Sequence, residues 1–216
     1  MQTLLHIDTS SRLHRSHSRV LTQTFRRLWQ QRFPGTRILY RDLRAFAPPH
    51  VTQDWIEASF TPATEHTPQM QQALQVSDLL VEEWLQADVY LLGIAMYNFS
   101  VPSAFKAYID NIVRVNRTFL FTPQDTNAPY KPLLHGKKMF VVVSSGDSGY
   151  QPGGSLSHLN HVEPYLRTVF GFIGITDIRF IYCGNDEFGG AALEQSLNDA
   201  QQQIQQVVCS PEPVAV

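Results

Sequence analysis

The sequence predicts an α/β fold, a doubly wound parallel sheet of five strands in the order 2-1-3-4-5 with helices on both faces. Three observations predict it. Short apolar runs alternate with segments of helical period along the whole of the 216-residue chain. The runs are near-continuous in Val, Ile and Leu, as strands covered on both faces require. No repeat or internal linker breaks the series, which reads β-α-β-α-β-α-β-α-β.

Taken in order, residues 4–8 are the first strand and end at Asp8, a buried acid or the cap of a neighbouring loop. From 16 to 33, Val20, Leu21, Phe25, Leu28, Trp29 and Phe33 fall on one helical stripe, which Pro34-Gly35 stops. Residues 36–40, β-branched and aromatic, are the second strand. Residues 46–68 carry four prolines and little periodicity, so they predict a loop with at most a short helix near Trp55. A helix over 69–86 follows, with Ala73, Leu74, Leu80, Val81, Trp84 and Leu85 among its apolar positions. Residues 89–95 are the third strand. Pro102 opens a helix to about Val113, since proline at the first helical position gives up no hydrogen bond. The Thr118-Phe119-Leu120-Phe121-Thr122 alternation predicts a small hairpin within an irregular excursion over 117–134. Residues 137–144 form a fourth, fully buried strand, and the Gly- and Ser-rich stretch 145–157 is loop. A helix over 158–172, a fifth strand over 177–183 and a closing helix over 191–208 complete the pattern. Residues 1–209 are expected to form one domain, and 210–216, with Pro211 and Pro213, a flexible tail.

Composition excludes several function classes. Hydrophobic residues at 43% and charged residues at 17% are ordinary globular values, and the net charge of −2 offers no general pull toward nucleic acid or an anionic membrane. No apolar run reaches the ~20 residues that span a bilayer. The first eight residues lack the basic and long apolar regions of a signal peptide and read as strand. Cys183 and Cys209 have neither metal spacing nor an activating neighbour, which predicts inert thiols in a cytoplasmic protein. His158 and His161 with Glu163 would share a helix face, yet no further ligand completes a metal site. Gly-x-Ser-x-Gly, Gly-x-Gly-x-x-Gly and Gly-Lys-Ser/Thr are all absent, which removes the main support for hydrolase, dinucleotide and P-loop readings.

Three strand-end loops carry the chemistry, because ligands of open α/β sheets sit at the carboxyl ends of the strands. After the first strand come Ser10, Ser11, Ser16, His17 and Ser18 with Arg12, Arg15 and Arg19. Hydroxyls, free N–H groups and a helix dipole make a phosphate pocket there; read alone, Ser16 is equally a helix cap. After the third strand, Met96, Tyr97, Asn98 and Phe99 build a wall suited to a flat ligand, with Asn98 offering donor and acceptor to a heterocycle edge and backbone amides free of any ladder. After the fourth, Ser144, Ser145, Gly146 and Asp147 are small enough to let a ring approach the backbone.

Across these segments the chain resembles the FMN-dependent NADH:quinone oxidoreductases that also act as NADH-azoreductases, a branch of the flavodoxin-like quinone reductases. The resemblance runs from Leu4 to about Val208. It rests on Ser10 with Ser16-x-Ser18, on Met96-Tyr97-Asn98-Phe99, on Gly136-Lys137-Lys138, and on Pro164-Tyr165-Leu166 followed by Gly171-Phe172-Ile173-Gly174-Ile175-Thr176-Asp177. It implies that Ser10, Ser16, His17 and Ser18 hold the FMN phosphate. It also implies that Met96, Tyr97, Asn98 and Phe99 lie along the isoalloxazine with amides toward N5 and O4, and that Ser144, Ser145, Gly146 and Asp147 hold the pyrimidine side. Phe119 and Phe121 fall where the family lines its substrate pocket, at a homodimer interface. NADH, or NADPH, would deliver hydride and a quinone or azo compound would accept two electrons in ping-pong fashion, the cofactor and no protein group carrying the redox step.

Three departures from the family pattern bear on this chain. Ser145-Gly146-Asp147 stands where Arg-Gly-Gly is common, so Asp147 either accepts from flavin N3–H, opposes the anionic reduced ring, or points to water. His17 replaces a frequent Gln, and the loop over 122–134 is longer than usual. The competing readings are a non-enzymatic flavodoxin-like electron carrier, which would be smaller and strongly acidic, and a flavin reductase serving a partner protein.

Overall fold

The apolar runs become the strands β1 (Thr3–Asp8), β2 (Arg37–Asp42), β3 (Val89–Ala95), β6 (Lys138–Ser144) and β7 (Asp177–Cys183), with β4 (Phe119–Phe121) and β5 (Tyr130–Pro132) between the third and fourth of them. In this computed structural model, which describes residues 2–209, the parallel sheet has the order β2-β1-β3-β6-β7. Counted along the sheet, that is the expected 2-1-3-4-5. The tail expected over 210–216 lies outside the described residues. β4 and β5 pair antiparallel as the expected separate hairpin.

The helices are α1 (His17–Arg32), α2 (Gln53–Phe60), α3 (Pro68–Gln86), α4 (Ser103–Ile112), α5 (Glu163–Ile173) and α6 (Gly190–Cys209). Two apolar layers sandwich the sheet. On one face Leu21, Phe25 and Trp29 of α1 meet Ala200, Ile204 and Val208 of α6 over Phe140 of β6. On the other, α3, α4 and α5 bring Trp84, Tyr108 and Phe170 together. Trp84 stacks on Tyr90 at 4.3 Å and on Phe170 at 5.1 Å, while its Nε1–H donates to the Tyr108 hydroxyl at 2.6 Å. The indole is thus buried with its one polar atom satisfied, the condition under which tryptophan suits a core.

Local differences from the expected elements have local causes. Val20 is exposed rather than on the buried stripe of α1, because it lies a full residue step from Leu21 around the wheel, and Leu85 of α3 is likewise exposed. The helix expected over 158–172 begins only at Glu163: Asn160 Oδ1 accepts from the N–H groups of Val162 and Glu163 at 2.9 and 3.2 Å, and Pro164 sits in the first turn. His158 therefore lies in a 3₁₀ turn (Ser157–Leu159) and His161 in the link after it, not on a shared helix face. The helix near Trp55 forms because Thr52 caps it, its hydroxyl accepting from Trp55 N–H at 3.3 Å. α5 ends at Gly174 with φ of 108°, where the Cβ of any other residue would meet the Leu134 carbonyl oxygen at 2.7 Å.

Candidate functional site

Parallel strands all release their chains at one edge, and the sequence expectation that three loops meet there is tested by the bonds between them. Thr9 ties the first loop to β3: its N–H and hydroxyl both donate to the Gly93 carbonyl, at 3.0 and 2.9 Å. Ser11 N–H donates to the Tyr97 hydroxyl at 3.2 Å, joining the first loop to the second. Met96 N–H donates to the Ser144 carbonyl at 2.8 Å, joining the second to the third. Ser10, Ser16, His17, Ser18, Met96, Tyr97, Ser144, Ser145 and Gly146 thereby line one crevice, together with Arg12 and Arg15.

The phosphate-pocket expectation meets a specific test at Ser16. This serine is the N-cap residue of α1, yet its side chain makes no cap hydrogen bond; its Oγ lies 3.4 Å from Ser18 Oγ. First-turn N–H groups of a helix need a partner, and an anion is the natural one. Ser10, Ser16 and Ser18 are buried at the same place. Three hydroxyls and an uncapped helix start fit a phosphate.

A buried network holds the first loop from beneath. Arg19 donates to the carbonyls of Ser10 and Arg12 at 2.7 and 3.1 Å and to Asp42 Oδ1 at 2.6 Å. Burial works against its charge, but the Asp42 hydrogen bond and the charges of Asp8 and Asp42 outweigh burial and raise its pKa above the ordinary value. For Asp42 burial is likewise the largest single effect and opposes ionisation, but the Arg19 bond and the Arg44 N–H hold its pKa below the ordinary value. Asp8 accepts from Thr22 and Tyr40 at 2.9 Å each and has His6 Nε2 at 3.3 Å. Burial, and then the adjacent Asp8 carboxylate, push the Tyr40 phenol up to about 12. Asp8 is therefore a buried acid at the heart of the network.

The second loop differs from expectation in its amides. Tyr97 and Ser100 exchange both backbone hydrogen bonds, at 3.0 and 3.1 Å, and Asn98 and Phe99 have φ of 47° and 68°. Two consecutive positive φ values in a doubly bonded turn describe type I′. Met96 and Tyr97 N–H are consequently spent within the fold, which leaves those of Asn98 and Phe99 for a ligand edge. Phe99 is a non-glycine residue in left-handed backbone, the kind of local strain that collects at ligand sites.

In the third loop Asp147 Oδ1 accepts from Ser148 N–H at 2.6 Å, and the Asp147 carbonyl accepts from Ser145 Oγ at 2.7 Å. One oxygen of the Asp147 carboxylate is thus used within its own turn. Phe119 and Phe121 form a separate group: Phe119 packs on Phe172 at 4.9 Å and Phe121 on Tyr130 at 5.2 Å, an exposed aromatic face on the hairpin and α5. Cys183 is buried and its thiol is pushed up by that burial, in line with an inert role.

Sequence reasoning missed a fourth loop. After β7, Asp186 Oδ2 meets Arg12 Nη1 at 2.7 Å and Asp186 Oδ1 meets His17 Nε2 at 3.0 Å, so a carboxylate reaches into the crevice. Glu187 packs on Gly146, where a Cβ would come within 2.5 Å of its carboxyl carbon. The available signal was the Asp186-Glu187 pair, separated from the fifth strand by two residues, in a loop that opens at the same edge as the others.

The family model described as Flavodoxin-like fold matches residues 2–208. A Nostoc punctiforme protein named FMN-dependent NADH:quinone oxidoreductase is 45% identical over 208 residues, covering 96% of this chain and 98% of that protein. Trichormus variabilis FMN-dependent NADH:quinone oxidoreductase 1 is 46% identical over 206 residues, 95% of either chain. Among solved structures, an azoreductase from Bacillus anthracis superposes with a TM-score of 0.85 at 21% identity, over 96% of this chain and 99% of that one. An FMN-dependent NADH-azoreductase of the same species, solved in complex with FMN, gives 0.83 at 20% identity over 96% and 98%. At those identities the structures speak to the fold alone.

Proposed function

The chain belongs to the flavodoxin-like family of FMN-dependent NADH:quinone oxidoreductases, and from that premise we propose that it is an oxidoreductase binding FMN in the crevice at the carboxyl edge of its sheet. The observation that carries this reading is the uncapped start of α1 ringed by Ser10, Ser16 and Ser18. Held there, FMN would supply the two-electron chemistry that links NADH or NADPH to a quinone or an azo compound.

The protein's part is to bind and orient. Ser10, Ser16, His17 and Ser18 take the phosphate, with the α1 dipole adding attraction. Met96, Tyr97, Asn98 and Phe99 form the wall for the flat ring, and the Asn98 and Phe99 N–H groups are donors for its edge. Ser144, Ser145, Gly146 and Asp147 close the third side, where the small side chains of Ser144 and Ser145 admit the ring to the backbone. No side chain is assigned a catalytic proton transfer. Donor and acceptor would stack in turn at one place against the bound ring, and one shared place implies ping-pong kinetics.

Phe119 and Phe121 complete the substrate pocket from an aromatic face that a second copy of the chain covers, giving a homodimer. None of the described helices is long and apolar enough to cross a membrane. The enzyme is proposed to work in the cytoplasm. Initial rates at varied NADH and benzoquinone test the mechanism. Parallel double-reciprocal lines are expected, and lines that intersect would refute a shared site.

A further inference from the structure

We propose that Asp186 is an internal stand-in for phosphate: its carboxylate holds Arg12 and His17 and is exchanged for the 5′-phosphate of FMN, which makes the crevice selective for a phosphorylated flavin. The proposal rests on the reading that this crevice binds FMN.

The geometry supports an exchange on four counts. Asp186 bridges two groups from the first loop, Arg12 at 2.7 Å and His17 at 3.0 Å. Both lie in the crevice with Ser10, Ser16 and Ser18, so a phosphate seated on the α1 start would compete for the same donors. The carboxylate is only 17% exposed although its loop is at the surface, so Arg12 and His17 are what hold it inward. Asn185 at φ of 67° and Gly189 and Gly190 at 65° and 54° bracket a self-contained turn, whose Phe188 and Gly189 N–H groups both return to the Asn185 carbonyl at 3.2 and 2.9 Å, so its own bonds are kept if it moves as a unit.

Charge decides which anion wins. A phosphomonoester carries about −1.5 to −2 near neutrality against −1 for the carboxylate, and it accepts through three oxygens. It can also use the first-turn N–H groups, toward which no hydrogen bond of Asp186 is directed. Among the described residues the Asp186 backbone is tied to the crevice by its N–H, which donates to the Ser145 carbonyl at 3.3 Å, a weak tether. Glu187 is anchored better, its N–H donating to the Gly146 carbonyl at 3.0 Å, and is expected to stay. Riboflavin, lacking the phosphate, offers nothing in exchange for the two pairs.

The test compares FMN and riboflavin affinities by flavin fluorescence quenching, on protein stripped of flavin, for the wild type, Asp186→Asn and Asp186→Ala. Removing the competing charge should tighten FMN by about threefold to fivefold, the scale of an ion pair with one exposed partner, and leave riboflavin within about twofold. Amide exchange over residues 184–190 should rise when FMN or inorganic phosphate is added to the wild type, and stay level with riboflavin. Unchanged or weaker FMN binding in both variants, equal tightening for both flavins, or greater protection of 184–190 with FMN would overturn the proposal. If the wild type binds neither flavin, the FMN reading itself fails. If it binds FMN but the variants match it, only the exchange fails.

Discussion

Ser16 begins a helix without capping it, and that small fact separates a ligand pocket from an ordinary helix start. The pair Ser16→Ala, Ser18→Ala should weaken FMN binding by about 1.5–3 kcal/mol for each hydrogen bond lost to a charged acceptor, measured by fluorescence titration. Unchanged affinity would remove the phosphate from this turn. Beneath it, Asp42 makes a prediction about pH. Its folded pKa lies below the ordinary 3.8, so its contribution to stability is present above that value and disappears as pH falls through the lower folded one. Thermal unfolding between about pH 5 and about pH 3 should therefore fall more steeply for the wild type than for Asp42→Asn. Equal slopes would contradict the assignment. Neither the Arg19–Asp42 pair nor the Asp8–Tyr40 bond could be read from the chain, because the first joins α1 to β2 and the second β2 to β1, contacts that only the folded arrangement makes.

At the scale of elements, the turn over residues 97–100 links backbone conformation to ligand binding. Asn is favoured at its first central position because its short amide tolerates left-handed backbone. Asn98→Gly should keep the turn and the melting temperature while losing the side-chain amide, so FMN affinity falls alone. Asn98→Val should lose both, with a stability cost of about 1–2 kcal/mol from a β-branched residue in that conformation. Equal melting temperatures for the two variants would refute the turn assignment. A second element-level device is the approach of β3 to β1 and α1. At Gly93 a Cβ would lie 2.6 Å from Asp8 Oδ1 and 3.0 Å from Thr22 Cγ2. Gly93→Ala should cost about 1–3 kcal/mol as an overpacked core substitution, read from urea unfolding. The strands themselves were legible because their apolar runs are unbroken. The start of α5 was not, since the period of residues 158–172 continues through a segment that Asn160 and Pro164 hold out of the helix. The amides of Met96 and Tyr97 were misjudged for a similar reason: their partners, Ser144 and Ser100, are set by strand register and by a turn type that spacing does not reveal.

Over the whole molecule, the sheet order and the meeting of the first three loops followed from the alternation of runs and from the rule that places ligands at strand carboxyl ends. The fourth loop escaped because β7 stands at the sheet edge with β3 and β6 between it and β1, and Asp186 meets His17 through the packing of α1 beside α6. We expect residues 1–209 to unfold as one cooperative unit, so that tryptophan fluorescence and far-UV circular dichroism give coincident urea transitions. Separate transitions would divide the chain into two domains. The central claim is that this crevice holds a flavin which the protein cycles between a nicotinamide donor and a quinone. Anaerobic stopped-flow mixing tests it most directly. The FMN-loaded protein should lose its flavin colour when mixed with NADH alone and regain it when benzoquinone follows; a flavin that NADH fails to bleach would contradict the account.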